Sequence, residues 1–192
     1  MSEEQSQPAQ DYPRRSKATS DRLFTWEEVR ALLDKEAMRR AEYIARILEA
    51  LREKYGDEVM SIASKVIYNL GYEKGAMRAE VMEKKGQPND LPNLANLVSH
   101  EIAQLYLGNT AEIQGEKMVV REDYCPLITK WSDMGFPEDK IIGYCMLFDQ
   151  VDKGMVEGYN PDFVAELSGC WGLKSKGYCG MLVRPKAEKD QG

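Results

Sequence analysis

From Trp26 to Leu107 apolar side chains recur at helical spacing with one Pro-containing break, which commits the first half of this chain to helices. Trp26, Val29, Leu33, Ala37, Ile44, Ile47, Leu48 and Leu51 mark the first helix. Thr25-Trp-Glu-Glu28 is its capping box: the Thr hydroxyl accepts from the backbone three residues on, and Glu28 reaches back. Gly56 ends it. Its other face is a ladder of Arg, Lys and Glu, with Glu36/Arg40 and Glu42/Arg46 four residues apart, which reads as a solvated face. A second helix opens at Asp57, carries Val59, Ile62, Ala63, Val66, Ile67 and Leu70, and runs on through Met77, Val81 and Met82 to Gly86. Gly71 and Gly75 weaken its interior and predict close helix packing or a kink. Gln87-Pro-Asn-Asp-Leu-Pro92 is a turn. A third helix is predicted from Asn93 to Leu107, with Leu94, Leu97, Val98, Glu101, Ile102 and Leu105 on one face.

Two residues of that third helix stand out. His100, the only histidine, falls off the apolar stripe. It reads as a boundary histidine, or as a base or ligand where the helix borders a cleft. Glu101 lies inside the stripe, and a carboxylate there needs a partner or faces a pocket.

Past Gly108-Asn109 the periodicity changes. Ala111 and Ile113 alternate with polar residues, and Met118-Val-Val-Arg121 follows Gly115, which predicts a β-hairpin. Cys125-Pro126 then stands where a strand ends and a helix begins. A thiol there faces the positive end of the helix, which favours thiolate. Gly135-Phe136-Pro137 stops this short helix and Pro137-Glu-Asp starts the next. Along it Ile141, Ile142, Cys145, Phe148, Asp149, Asp152 and Val156 fall at helical steps, so Cys145 and Asp149 share a face. Two strands, Phe163–Leu167 and Tyr178–Val183, flank a loop that holds Cys170.

The chain thus divides into a polar tail over 1–20, a helical region over 21–109, an α+β region over 110–185 that joins it in one compact domain, and a charged tail over 186–192. The fold class expected is α+β: three N-terminal helices, then an antiparallel sheet of about four strands covered on one face by helices. A net charge of −6 speaks against a nucleic-acid partner. No segment reaches the roughly 20 apolar residues that span a bilayer, and the N-terminus is no signal peptide, so a cytoplasmic location and no membrane partner are expected. Thiols stay reduced there, which points the four cysteines toward burial, catalysis or metal. Their intervals, nineteen, twenty-four and eight intervening residues, match no zinc-ribbon or ferredoxin spacing. A zinc or iron–sulfur site of Cys125, Cys145, Cys170 and Cys179 therefore requires the fold to assemble it. The first helix carries more apolar stripe than a small sheet covers, which predicts a homo-oligomer through it.

The order Cys125-Pro126, Cys145-x-x-x-Asp149, Glu157-Gly-Tyr-Asn-Pro161, a strand, and a loop ending Gly177-Tyr178-Cys179 resembles the L-2-amino-thiazoline-4-carboxylic acid hydrolase family. More distantly it is similar to the four-vinyl-reductase type of ligand-binding domain. The resemblance implies a small-molecule substrate, a cyclic amidine or thiazoline opened by water. Such chemistry needs a positioned water or nucleophile, a proton donor for the leaving atom, and donors for the developing charge. On this chain Cys125 or Cys145 is the candidate nucleophile and Asp149 the candidate acid/base. Arg121 is the candidate holder of a substrate carboxylate, and His100 and Glu101 are further substrate-binding candidates. The alternatives are a non-catalytic sensor for a small molecule or metal, a metal-cluster protein using the four cysteines, and a structural subunit of a larger complex.

Overall fold

The computed structural model describes residues 23–169 and 179–187; the side chains of 101, 102 and 167–169 fall outside that description. So do the tail expected over 1–20, Cys170 with the loop up to Tyr178, and all but the first two residues of the C-terminal tail. Helices α1 (Trp26–Tyr55) and α2 (Glu58–Lys84) come first, followed by α3 (Leu91–Val98) and α4 (Glu101–Leu107). The hairpin β1 (Thr110–Gln114) and β2 (Lys117–Glu122) leads to α5 (Pro126–Asp133) and α6 (Glu138–Tyr159). Strands β3 (Phe163–Gly169) and β4 (Cys179–Pro185) complete an antiparallel sheet of order β1-β2-β4-β3. The fold is α+β, as expected. No helix among the described residues is long and apolar enough to cross a membrane.

The predicted start of α1 is borne out in detail. Thr25 accepts from the Glu28 backbone at 3.3 Å, and its own N–H donates to Glu28 Oε2 at 3.1 Å. The third helix differs from expectation: it splits into α3 and α4 at Ser99-His100. His100 takes an extended conformation and caps α4, its Nδ1 accepting from the Ala103 N–H at 3.4 Å. A side chain that satisfies an orphan backbone donor is what allows a new helix to begin there.

The glycines of α2 are resolved in favour of close packing. Gly71 and Gly75 pack against the α6 backbone at Val151, Met155 and Tyr159, and Gly154 and Gly158 of α6 pack in return against the α2 backbone at Tyr68 and Tyr72, in the most extensive contact between any two elements. A Cβ on Gly71 would stand 2.0 Å from the Val151 carbonyl oxygen, and one on Gly154 would stand 2.1 Å from that of Tyr68. Only hydrogen fits between backbones at this distance.

This packing has a cost in coverage. With the glycine face turned inward, Ile62, Val66, Leu70, Met77 and Val81 of α2 remain exposed. On α1 the buried side chains are Ala41, Ala45 and Leu48, while Leu33, Ile44, Ile47, Leu51 and Tyr55 face outward. The stripe that periodicity assigns to α1 is therefore largely on its outer side.

Two apolar cores result. One joins Met82, Leu94, Met118, Val156, Tyr159 and Val183 between the sheet, α3 and the C-terminal half of α6. The other joins Ala41, Ala45, Leu48, Trp131, Ile141 and Tyr144 between α1, α5 and the N-terminal half of α6. Trp131 is fully buried, and its indole N–H donates to the Ala41 carbonyl at 3.3 Å, which fastens α5 to α1.

Candidate active site

A cavity of about 400 Å³ opens where the two cores meet. Val120 and Met181 of the sheet line it, as do Ile128 of α5 and Phe148 of α6, and the buried Trp131 backs Phe148 with the two rings 5.6 Å apart. Volume and mostly apolar lining fit a small-molecule site with a few polar groups that fix orientation. His100 stands exposed among the lining residues, and Arg78 of α2 joins them.

The polar groups reach the cavity by simple geometry. Cys145, Asp149 and Asp152 lie at i, i+4 and i+7 on α6, on the side of the helix opposite Gly154 and Gly158. The glycine contact with α2 therefore sets their direction. Glu122 of β2, also in the lining, is paired with Cys179 of β4, and side chains opposite each other in antiparallel strands share a face. Cys125 follows β2 as the N-cap of α5, close enough to Cys179 for a thiol–thiol hydrogen bond.

Burial and crowding set the protonation of this cluster. Asp152 is pushed up to about 7, chiefly by burial and then by the charges of Glu122 and Asp149, against the pull of Arg78. Glu122 is raised by burial and by Cys179, although the Asn109 amide donates to its Oε1 at 3.1 Å. Cys125 is held far on the protonated side by its hydrogen bond with Cys179 and by burial. The backbone N–H groups of Ile128 and Leu127 do pull its pKa down, as a helix N-terminus should, but they are outweighed. The thiolate expected at Cys125 is therefore corrected to a thiol.

Asp149 is 5 % exposed, and neither carboxyl oxygen accepts a hydrogen bond. Lys153 comes within 2.9 Å of Oδ2, close enough for an ion pair but off-line for a hydrogen bond. The approach is a charge contact, since ion pairing tolerates poor angles and hydrogen bonding does not.

The elevated Asp152 has a consequence for stability. Its folded pKa of about 7 lies above the ordinary 3.8, so its favourable contribution is present at low pH and fades as pH rises through 7. Asp152→Asn is expected to melt above wild type at pH 8, by about 2 kcal/mol, with the gap narrowing at pH 5. Calorimetric scans at the two pH values check this; an unchanged gap would remove the elevated pKa.

The sequence pattern of the L-2-amino-thiazoline-4-carboxylic acid hydrolase family matches residues 36–177. The chain belongs to this family. The match takes in α2, α5, α6 and all but β4 of the sheet, so the cavity walls lie almost wholly within it. No curated protein matches the chain. Among solved structures, a trafficking protein particle complex subunit 3 from Naegleria fowleri, covalently bound to palmitic acid, is similar at 18 % identity and a TM-score of 0.50. That likeness covers 79 % of this chain and 96 % of the other, and at such identity it speaks for the fold.

Within the family's fold, the residues singled out from sequence fare differently. Cys125, Cys145, Asp149, Cys179 and His100 all line the one cavity. Arg121 does not: its neighbours Val120 and Glu122 line the cavity, and strand alternation sends Arg121 to the other face of the sheet. Arg78 is the cation found in the lining instead. Glu101 opens α4, and its side chain lies outside the described residues. Among the described residues no three His, Cys, Asp or Glu side chains are grouped to hold a metal ion, so Cys125, Cys145 and Cys179 do not make such a site among themselves. Asp152, Glu122 and Arg78 were not singled out. The signal for Asp152 was present, three residues past Asp149 on the same helical face. Glu122 and Arg78 carry no such mark, because strand pairing and the α2–α6 contact bring them in.

Proposed function

We propose that this chain is a hydrolase that opens a small cyclic amidine or thiazoline-type ring in this cavity, with Asp152 moving the proton. The observation that carries the reading is a carboxyl group in the cavity wall whose pKa, about 7, suits it to give and take protons near neutrality. Asp152 accepts a proton from water as the oxygen adds to the ring's amidine carbon. The carbon–sulfur (or carbon–nitrogen) bond then breaks, and Asp152 returns the proton to the leaving atom. The adduct ends as an open-chain carbamoyl compound and the enzyme is unchanged. Water is the nucleophile in this reading, because Cys125 is held as a thiol, and nucleophilic attack by sulfur requires the thiolate. Cys145 faces the same space and shares the α6 face with Asp149. Arg78 is placed to hold an anionic substituent such as a ring carboxylate.

The test is ring opening of a panel of 2-aminothiazolines and cyclic amidines, followed by chromatography of the carbamoyl product. Turnover that survives Cys125→Ala and fails in Asp152→Asn supports the reading; dependence on Cys125 with indifference to Asp152 overturns it.

The reading also has the chain act as a homo-oligomer, as the uncovered faces of α1 and α2 suggest. Exposed apolar surface on this scale is what subunit contacts consume. Ile47→Glu with Leu51→Glu is expected to bring the mass seen by light scattering down to that of a single chain without unfolding it. A wild-type monomer at micromolar concentration would count against it.

A further inference from the structure

The cavity is short of hydrogen-bond donors in a particular way. Among the described residues, the buried side-chain polar atoms that lack a hydrogen bond and belong to residues lining the cavity are Asn109 Oδ1 and the two oxygens of Asp149. All three are acceptors. Asn109 is oriented by its amide N–H, which donates to Glu122 Oε1, so its carbonyl oxygen is the end left over. The Asp149 side chain is only 3 % exposed, and Lys153, more than a third exposed, pairs with it by charge at Oδ2 without a hydrogen bond to either oxygen. A buried acceptor without a partner is costly, and a ligand that brings donors recovers that cost. Acidic groups also outnumber basic ones: Glu122, Asp149 and Asp152 line the cavity with Arg78, and Lys153 pairs with Asp149. Phe148, next to Asp149 in the chain and half-buried, adds an aromatic ring to the same lining. An aromatic ring in a cavity that also holds unsatisfied acceptors suits a planar cation better than a compact ammonium ion.

We propose that Asp149, through Oδ1, is the group that selects the ligand by charge, so that the cavity takes planar amidinium or guanidinium rings and rejects neutral rings of the same shape, whether or not the ring contains sulfur. This rests on the reading of the cavity as the substrate site, but not on the hydrolytic step. Asp149 thus reads the ring's N–H edge and Asp152 handles the proton. The division follows from their surroundings: Asp149 has an oxygen waiting for a donor, and Asp152 sits under the field of two other acids.

Two rings that differ in little but charge make the test: 2-amino-2-imidazoline, a cyclic guanidinium, and 2-imidazolidinone, its neutral counterpart. Binding of each to the full-length protein is measured by titration calorimetry at pH 8. The cation is expected to bind at least tenfold tighter, and Asp149→Asn to bring the two within about threefold. Equal affinities, binding of neither ring, or a preference that persists in Asp149→Asn would overturn the proposal. The wild-type comparison decides even if the variant does not fold. A cation preference in a protein that opens no ring at all would remove the hydrolase reading and leave this inference standing.

Discussion

Asp152→Asn is expected to lower kcat for ring opening by about 10²- to 10⁴-fold, the range associated with a lost general acid/base, with KM changed far less. Asparagine keeps the shape and one acceptor but cannot take a proton from water or return it to sulfur. The wild-type rate as a function of pH carries the same signature. Asp152 must be ionised to act as base, so kcat/KM should rise as pH passes through about 7 and level off above it. Asp149→Asn should behave in the opposite manner, raising KM more than it lowers kcat, because the proposed division of roles has it hold the ring. A steady-state series over pH 5 to 9 separates the two. If both variants shift KM alone, proton transfer resides elsewhere in the cavity.

The second large effect concerns the fold. Gly154→Ala is expected to destabilise the protein by about 3 kcal/mol or more, enough to unfold much of it at 37 °C. Alanine has the better helix propensity by about 1 kcal/mol, which works in its favour. Against that, its methyl would stand 2.1 Å from the Tyr68 carbonyl oxygen, and backbone has to move to admit it. Gly75→Ala meets the Met155 carbonyl at the same 2.1 Å and should fail in the same way. Gly143 provides the control within the same helix. It has open space around it, so Gly143→Ala should stabilise by up to about 1 kcal/mol. Opposite signs at two glycines eleven residues apart, read by thermal melting, would establish that contact and not propensity decides. Two neutral results would mean that α2 and α6 separate easily.

These glycines also show how much of the molecule its sequence discloses. The α1 cap, the Gly115 hairpin, the start of α5 at Cys125-Pro126 and the long α6 are legible because each depends on a few adjacent residues. The outward face of α1 is not, since apolar periodicity cannot say which side a helix buries when small residues such as Ala41 and Ala45 permit a closer approach. The break at His100 was missed for a similar reason: a cap is a local hydrogen bond that hydrophobic spacing does not record. In the site, Cys125, Cys145 and Asp149 could be suspected from chemistry and a shared helical face. The thiol state of Cys125 could not, because it depends on Cys179, which β4 brings back from far along the chain. Arg121 misled because the strand's alternation, once Val120 and Glu122 face inward, turns it away.

Helix α6 has a division of labour with a consequence for how such a protein can change. One side, Gly154 and Gly158, holds the helix against α2; the other, Cys145, Asp149 and Asp152, lines the cavity. Substitutions on the ligand side leave the anchoring side intact, so descendants can exchange acids for other groups without losing the shape of the room. The lineage is thereby freer to invent new reactions than to reshape its frame.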